Sequence, residues 1–159
     1  MAAPDSNNPA QDEAKLQAMM QRWADGKATL RDVRGYTDEE LYAIAKTAYF
    51  FYYQGRVNEA RTLFQGLYAV NPADAYFAKA LGVVEMAAGN PQGALAAYDV
   101  ALKLAANDAA AYVGRAEVKL AMGQKSQAAE DLRRATQLTQ GEDPVHAKAS
   151  AMLKALGLR

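Results

Sequence analysis

Three glycines, Gly55, Gly89 and Gly123, stand 34 residues apart, and several other positions keep the same register. Ala60, Ala94 and Ala128 follow them by five residues, Phe64, Tyr98 and Leu132 by nine, and Leu67, Ala101 and Ala135 by twelve. A fixed period of this length, held without an insertion, marks a chain made of stacked copies of one supersecondary unit, none of which buries its apolar face alone. The units are residues 41–74, 75–108 and 109–142, each expected to be a helix, a short turn at the glycine, and a second helix. The residue types suit stacked helical hairpins. Ala48, Gly82 and Ala116 mark the close approach in the first helix of each unit, and the larger Phe64, Tyr98 and Leu132 fill the space opposite.

Punctuation residues place the helix ends. Asn71-Pro72 closes the first unit, Asp74 and Asp108 are candidate N-caps, and Asn90-Pro91 caps and opens the second helix of the middle unit. Asp143-Pro144 begins one more helix, expected to run to about Leu156 with Gly157 beyond it; Val145, Met152 and Leu156 would cover the last unit. Thr37 and Glu40 form a capping box, so a helix starts near Asp38. Upstream, Gly35 interrupts the chain and Leu30 and Val33 read as isolated anchors. From Asp12 to about Ala24, Leu16, Met19, Met20 and Trp23 share one helical face, and a lone amphipathic helix of this kind must dock or dimerise. Residues 1–11 hold too few apolar side chains to offset the entropy of ordering and are expected to be a disordered tail. The expected organisation is therefore a tail at 1–11, an N-terminal helix and linker at 12–36, the repeats at 37–142, and a capping helix at 143–159.

Composition removes several classes of function. Eighteen basic residues balance eighteen acidic ones, which gives no basic surface to attract nucleic acid or an anionic membrane. No apolar run approaches the roughly 18 residues that span a bilayer, and the polar start of the chain has no apolar core of a signal peptide. A cytoplasmic protein of bacterial type is expected. The chain has no cysteine, which excludes disulfides, thiolate metal sites and a cysteine nucleophile. His146 is the sole histidine, expected to be exposed near the start of the last helix, without further ligands at metal-binding spacing. No glycine-rich phosphate loop is present, and Asp38-Glu39-Glu40 is a helix N-terminal cluster rather than a catalytic pair. No catalytic residue, metal or cofactor is expected.

The stretch Leu41–Gln54 concentrates the remaining signal. Ile44, Ala48 and Phe51 supply an apolar stripe for packing. Tyr42, Tyr49, Tyr52 and Tyr53 lie on another side of the helix and suggest a surface for something apolar with polar edges.

The 34-residue units, with their small-residue, glycine, alanine, aromatic and proline marks, resemble tetratricopeptide repeats. The segments TLRDVRGYTDEELYAIA and YFFYYQGRVNEARTLFQGLYAVNPADAYFAKALGVVEMAAG resemble, more narrowly, the class II chaperones of bacterial type III secretion, which bind translocator proteins. The likeness covers roughly residues 26 to 140. It implies an all-α fold of three repeats in a superhelical array, an N-terminal helix that forms a homodimer through Leu16, Met19, Met20 and Trp23, and a C-terminal capping helix. It departs from the family pattern at Ala45 and Ala78, where large aromatics are common, and in the third repeat, AYVGRAEVKLAMGQ, which lacks a cysteine-containing pattern.

In such an array the first helices line a concave face through repeat positions 2, 5, 9, 12 and 13. That register selects Tyr42, Ala45, Tyr49, Tyr52 and Tyr53 from the first unit, Tyr76, Lys79, Val83, Met86 and Ala87 from the second, and Ala110, Val113, Glu117, Leu120 and Ala121 from the third. Ala45 reads as a gap among the rings that would pocket one ligand side chain. The resemblance implies that the groove grips a short proline-containing segment of a translocator, with Tyr49 and Tyr52 at aromatic positions that serve this in the family. The lysine, asparagine and arginine clamp of co-chaperone adaptors is missing at Ala45, Tyr49, Val83, Ala110 and Gly114, so a charged peptide terminus is not the expected ligand. Arg115, Lys119 and Glu85 fall at positions that favour apolar packing, so either their long stems snorkel to solvent or the charges pair, for example Glu85 with one of the two basic residues across the repeat boundary. The main functional expectation is a non-enzymatic chaperone that keeps a hydrophobic translocator soluble and export-competent. The alternatives are a chaperone for a needle or other self-polymerising subunit bound as a helix, and a generic tetratricopeptide scaffold.

Overall fold

The computed structural model describes residues 14–15, 17–18, 21–22, 25 and 29–158. Among them the chain is all α: α1 (Leu30–Arg34), α2 (Asp38–Tyr53), α3 (Val57–Val70), α4 (Ala75–Ala87), α5 (Pro91–Leu104), α6 (Ala109–Ala121), α7 (Lys125–Leu138) and α8 (Pro144–Ala155). The pairs α2/α3, α4/α5 and α6/α7 are the three hairpins expected from the period. Each unit's second helix packs on the next unit's first helix, and α8 lies against α7 and α6 as the C-terminal cover. Leu16, Met19, Met20 and Trp23, expected to form a dimer face, lie outside the described residues. Their described neighbours Ala14, Lys15, Gln17, Ala18, Gln21 and Arg22 are helical and exposed.

The repeat period is a backbone property as much as a sequence one. Gly55, Gly89 and Gly123 end the first helices at φ of 77, 78 and 77°, a left-handed conformation that a side chain resists. Capping is likewise as expected. The Thr37 hydroxyl accepts from the Glu40 amide at 3.2 Å, and the Glu40 carboxylate accepts from the Thr37 amide at 2.9 Å. Asp74, Asn90, Asp108 and Asp143 each accept an orphan amide of the helix they precede. The helix α1 was not expected: Thr29-Leu30-Arg31-Asp32 is a second capping box, and the Thr29 amide donates to Asp32 at 2.8 Å.

The core is a file of three clusters. The first joins Leu41, Ala45, Ala48, Phe64, Leu67, Phe77 and Val84, the middle one Ala94, Tyr98, Leu102, Ala111 and Val118, and the last Val113, Ala116, Leu132, Ala149 and Leu153. The expected stripe of α2 is corrected here. Leu41, Ala45 and Ala48 form the buried line, while Ile44 is 39% exposed and Phe51 only half-buried. The face that α2 turns to its hairpin partner α3 is rotated from the predicted one toward Leu41 and Ala45, with Ala48 common to both.

Of three charged groups that sequence alone leaves doubtful, Glu85 is buried and Arg115 and Lys119 are half-buried, and all are paired. Glu85 accepts from Arg61 at 3.0 Å, Gln65 at 2.9 Å and Asn90 at 2.8 Å. The charges do pair, but Glu85 reaches back to α3 rather than forward to Arg115 or Lys119, the pair offered as an example. Those two bases instead meet Asp131 on α7: Arg115 forks onto both its oxygens at 2.7 and 2.9 Å, Lys119 donates at 2.7 Å, and Arg115 also reaches Asp99 at 2.8 Å. Burial opposes ionisation of Glu85, but the donors from Arg61, Asn90 and Gln65 outweigh it and hold its carboxyl below the usual range.

Candidate peptide-binding groove

Aromatic rings from the first helices of units one and two make one continuous surface. Tyr42 meets Tyr76 at 5.5 Å between centroids, Tyr76 meets Tyr49 at 6.2 Å, Tyr49 stacks near Tyr53 at 6.2 Å, and Tyr53 meets Tyr52 at 5.4 Å. These edge-on and offset contacts are the favourable geometries for aromatic pairs. The surface is anchored from below, since Tyr49 also packs edge-on against the buried Phe64 at 4.9 Å. Burial pushes the Tyr49 hydroxyl well above its ordinary range, so it remains a proton donor at any physiological pH.

Downstream, the groove deepens into two adjoining hollows of about 370 and 260 Å3, which share Val83, Tyr98, Gly114 and Glu117. Tyr52, Met86 and Ala87 complete the first; Ala110, Val113, Val145 and Lys148 complete the second. The Tyr98 ring forms their common floor, wedged between two helices that carry glycine where they face it. A Cβ on Gly82 would come to 2.8 Å of the ring, and one on Gly114 would fall onto its Cζ and Oη. Burial, with the Glu117 charge as a lesser cause, raises the Tyr98 hydroxyl above its ordinary range. It therefore offers a neutral O–H at the bottom of an apolar hollow, suited to a ligand carbonyl.

Of the residues that the repeat register selected, Tyr49, Tyr52, Val83, Met86, Val113 and Glu117 do line these hollows or the aromatic surface, and Tyr53 is the most exposed of them. Ala45 does not. It is fully buried between α2 and its neighbours and opens no pocket. Leu120 is half-buried against the C-terminal cluster, with no part in either hollow. Tyr42 and Lys79 are on the rim but engaged: the Tyr42 hydroxyl donates to Asp74 at 2.6 Å and the Lys79 ammonium to Asp108 at 2.6 Å. Each ties a first helix to the N-cap aspartate of the next unit. The bond to Asp74, with burial adding, pushes the Tyr42 hydroxyl up to about 12. His146, expected to be exposed, is half-buried with Nδ1 3.1 Å from the Thr139 hydroxyl.

Sequence reasoning missed Tyr98 and Gly114 as groove floor, and Val145 and Lys148 as its far wall. The signal was present. Tyr98 is the one tyrosine at a position that holds Phe64 and Leu132 in the other units, so its hydroxyl needs an outlet. Lys148 spans from α8 to Glu117 at 2.6 Å, closing the downstream hollow. Among the described residues no cluster of His, Cys, Asp or Glu could hold a metal ion, and no helix is long and apolar enough to cross a membrane.

Residues 42–109 match the family model of the tetratricopeptide repeat. Over those residues the hairpins are tetratricopeptide repeats. The fold as a whole is similar to that of solved structures of type III secretion chaperones. A T3SS complex from Aeromonas hydrophila is matched with a TM-score of 0.80 at 22% identity, over 89% of this chain and 95% of that one. The Yersinia enterocolitica secretion chaperone SycD, in complex with a peptide of the translocator YopD, is matched with a TM-score of 0.71 at 22% identity, over 76% and 95%. PcrH of Pseudomonas aeruginosa, in complex with the chaperone-binding region of PopD, is matched with a TM-score of 0.72 at 24% identity, over 77% and 95%. No curated protein matches the chain by sequence.

Proposed function

We propose that this chain is a cytoplasmic type III secretion chaperone that holds an extended, proline-containing segment of a hydrophobic translocator in its concave groove. The observation that supports this most is the joining of a tyrosine surface to two hollows floored by Tyr98, one of mixed lining and the downstream one mainly apolar. Tyrosine faces stack on proline rings, the hollows take Leu or Val side chains, and the hydroxyls donate to the carbonyls that proline leaves free. The protein works by binding, without chemistry, and as a homodimer, a reading supported by the dimer of SycD seen in one of its crystal structures.

Capture of peptides tiled along candidate translocators tests the reading. Tyr52→Ala and Val83→Asp, both at half-buried groove positions, are expected to abolish capture of extended proline-containing peptides while leaving helical content unchanged. Undiminished capture would remove the groove from the reading. Preference for helical peptides that tolerate loss of proline would replace the client with a self-polymerising subunit.

A further inference from the structure

The first repeat differs from the others in what covers its leading face. Ile44 is 39% exposed where Ala78, one period on, is fully buried, and Phe50 is 59% exposed where Val84 and Val118 are fully buried. In units two and three that face packs against the preceding unit, whereas among the described elements that precede unit one the short α1 is the one that meets it, touching α3. The result is an open apolar groove of about 230 Å3 between α2 and α3, walled by Leu41, Ile44, Leu63, Leu67 and Val70. Gly66 lies on its floor in mid-helix, where glycine weakens a helix and a Cβ would meet nothing within 4 Å. It leaves room for a second backbone to come close.

We propose that residues 12–24 of the same chain fill this groove in cis, lying where the second helix of a preceding repeat would lie. The length and attachment of the segment favour it over a second copy. Only residues 26–28 separate Asp25 from Thr29, whose helix α1 rests on α3, so the segment is tethered beside the groove at an effective concentration on the order of mM. Its described residues are helical, exposed and largely polar, and the sequence spacing of Leu16, Met19, Met20 and Trp23 suits the opposite, apolar stripe of such a helix.

Trp23 is the sole tryptophan, so its fluorescence in the full chain reports the occupant directly. The expected emission is that of a buried indole, unchanged on dilution to concentrations where no second copy is bound, and red-shifted by Ile44→Glu at an already exposed position. Solvent-like emission throughout, or emission that turns solvent-like on dilution, overturns the proposal. The absence of native cysteine allows a second measurement. Thr62→Cys on the groove rim, paired with Met19→Cys or Met20→Cys, is expected to oxidise to a disulfide within one chain, while pairing with Gln17→Cys or Gln21→Cys is not. A disulfide between chains, equal reaction at all four positions, or no disulfide in folded protein overturns it.

Discussion

The wedge of Tyr98 between two glycines makes Gly114→Ala an informative substitution. Ordinarily a glycine in a helix interior gains stability on replacement by alanine, by about 1 kcal/mol. Here the new methyl would fall onto Cζ and Oη of Tyr98, and the ring cannot swing away, because Gly82 on its other side is already at a distance that would leave a Cβ only 2.8 Å from it. Overpacking of a filled core costs about 1–3 kcal/mol. With the larger clash at the upper end of that range, the net loss is about 1–2 kcal/mol, or a fall in Tm of about 2–8 °C for a chain of this size. Urea and thermal unfolding followed by helical circular dichroism measure it. The decisive comparison is with Tyr98→Leu as background: once the ring is gone, Gly114→Ala should change sign and stabilise by up to about 1 kcal/mol. An equal loss in both backgrounds would refute the wedge.

Two further outcomes are expected. Asp131→Ala leaves the Arg115 guanidinium and Lys119 ammonium, both mostly buried, without their shared carboxylate, and should cost about 3–5 kcal/mol in urea unfolding; a loss below about 1 kcal/mol would mean that the bases reach solvent. Glu85 contributes to acid sensitivity with a defined sign. Its folded carboxyl titrates below the ordinary value of 4.5, so its contribution is full above that value and is lost as pH falls through the depressed one. Glu85→Gln should flatten that part of the stability profile below about pH 4.5, and an unchanged profile would assign the acid response elsewhere.

The repeat period made the hairpins, their turns and their caps legible, because these depend on local rules: a left-handed glycine, an aspartate before a helix, a proline after one. Burial at single positions was less legible. Ala45 and Tyr49 stand one turn apart on nearly the same face of one helix, yet Ala45 is sealed and Tyr49 half-buried, because the longer ring reaches past the buried line to the groove surface, a difference that apolar spacing does not resolve. Charges were harder again. Glu85 had basic candidates on both sides, and only the stacking of α3 on α4 selects Arg61. The groove floor escaped notice because Tyr98 obeys the packing rule of its position and serves the hollow with the one atom that rule ignores.

That same ring has a mechanical consequence. Because Tyr98 bears on α4 through Gly82 and on α6 through Gly114, it acts as a shim that sets the pitch between two repeats. A ligand pressing on the floor of the hollow must move two helices together, each tied to a further neighbour by Glu85 or Asp131. The floor is therefore stiff, its shape exists before any ligand arrives, and the entropy lost on capture falls on the guest chain rather than on the host.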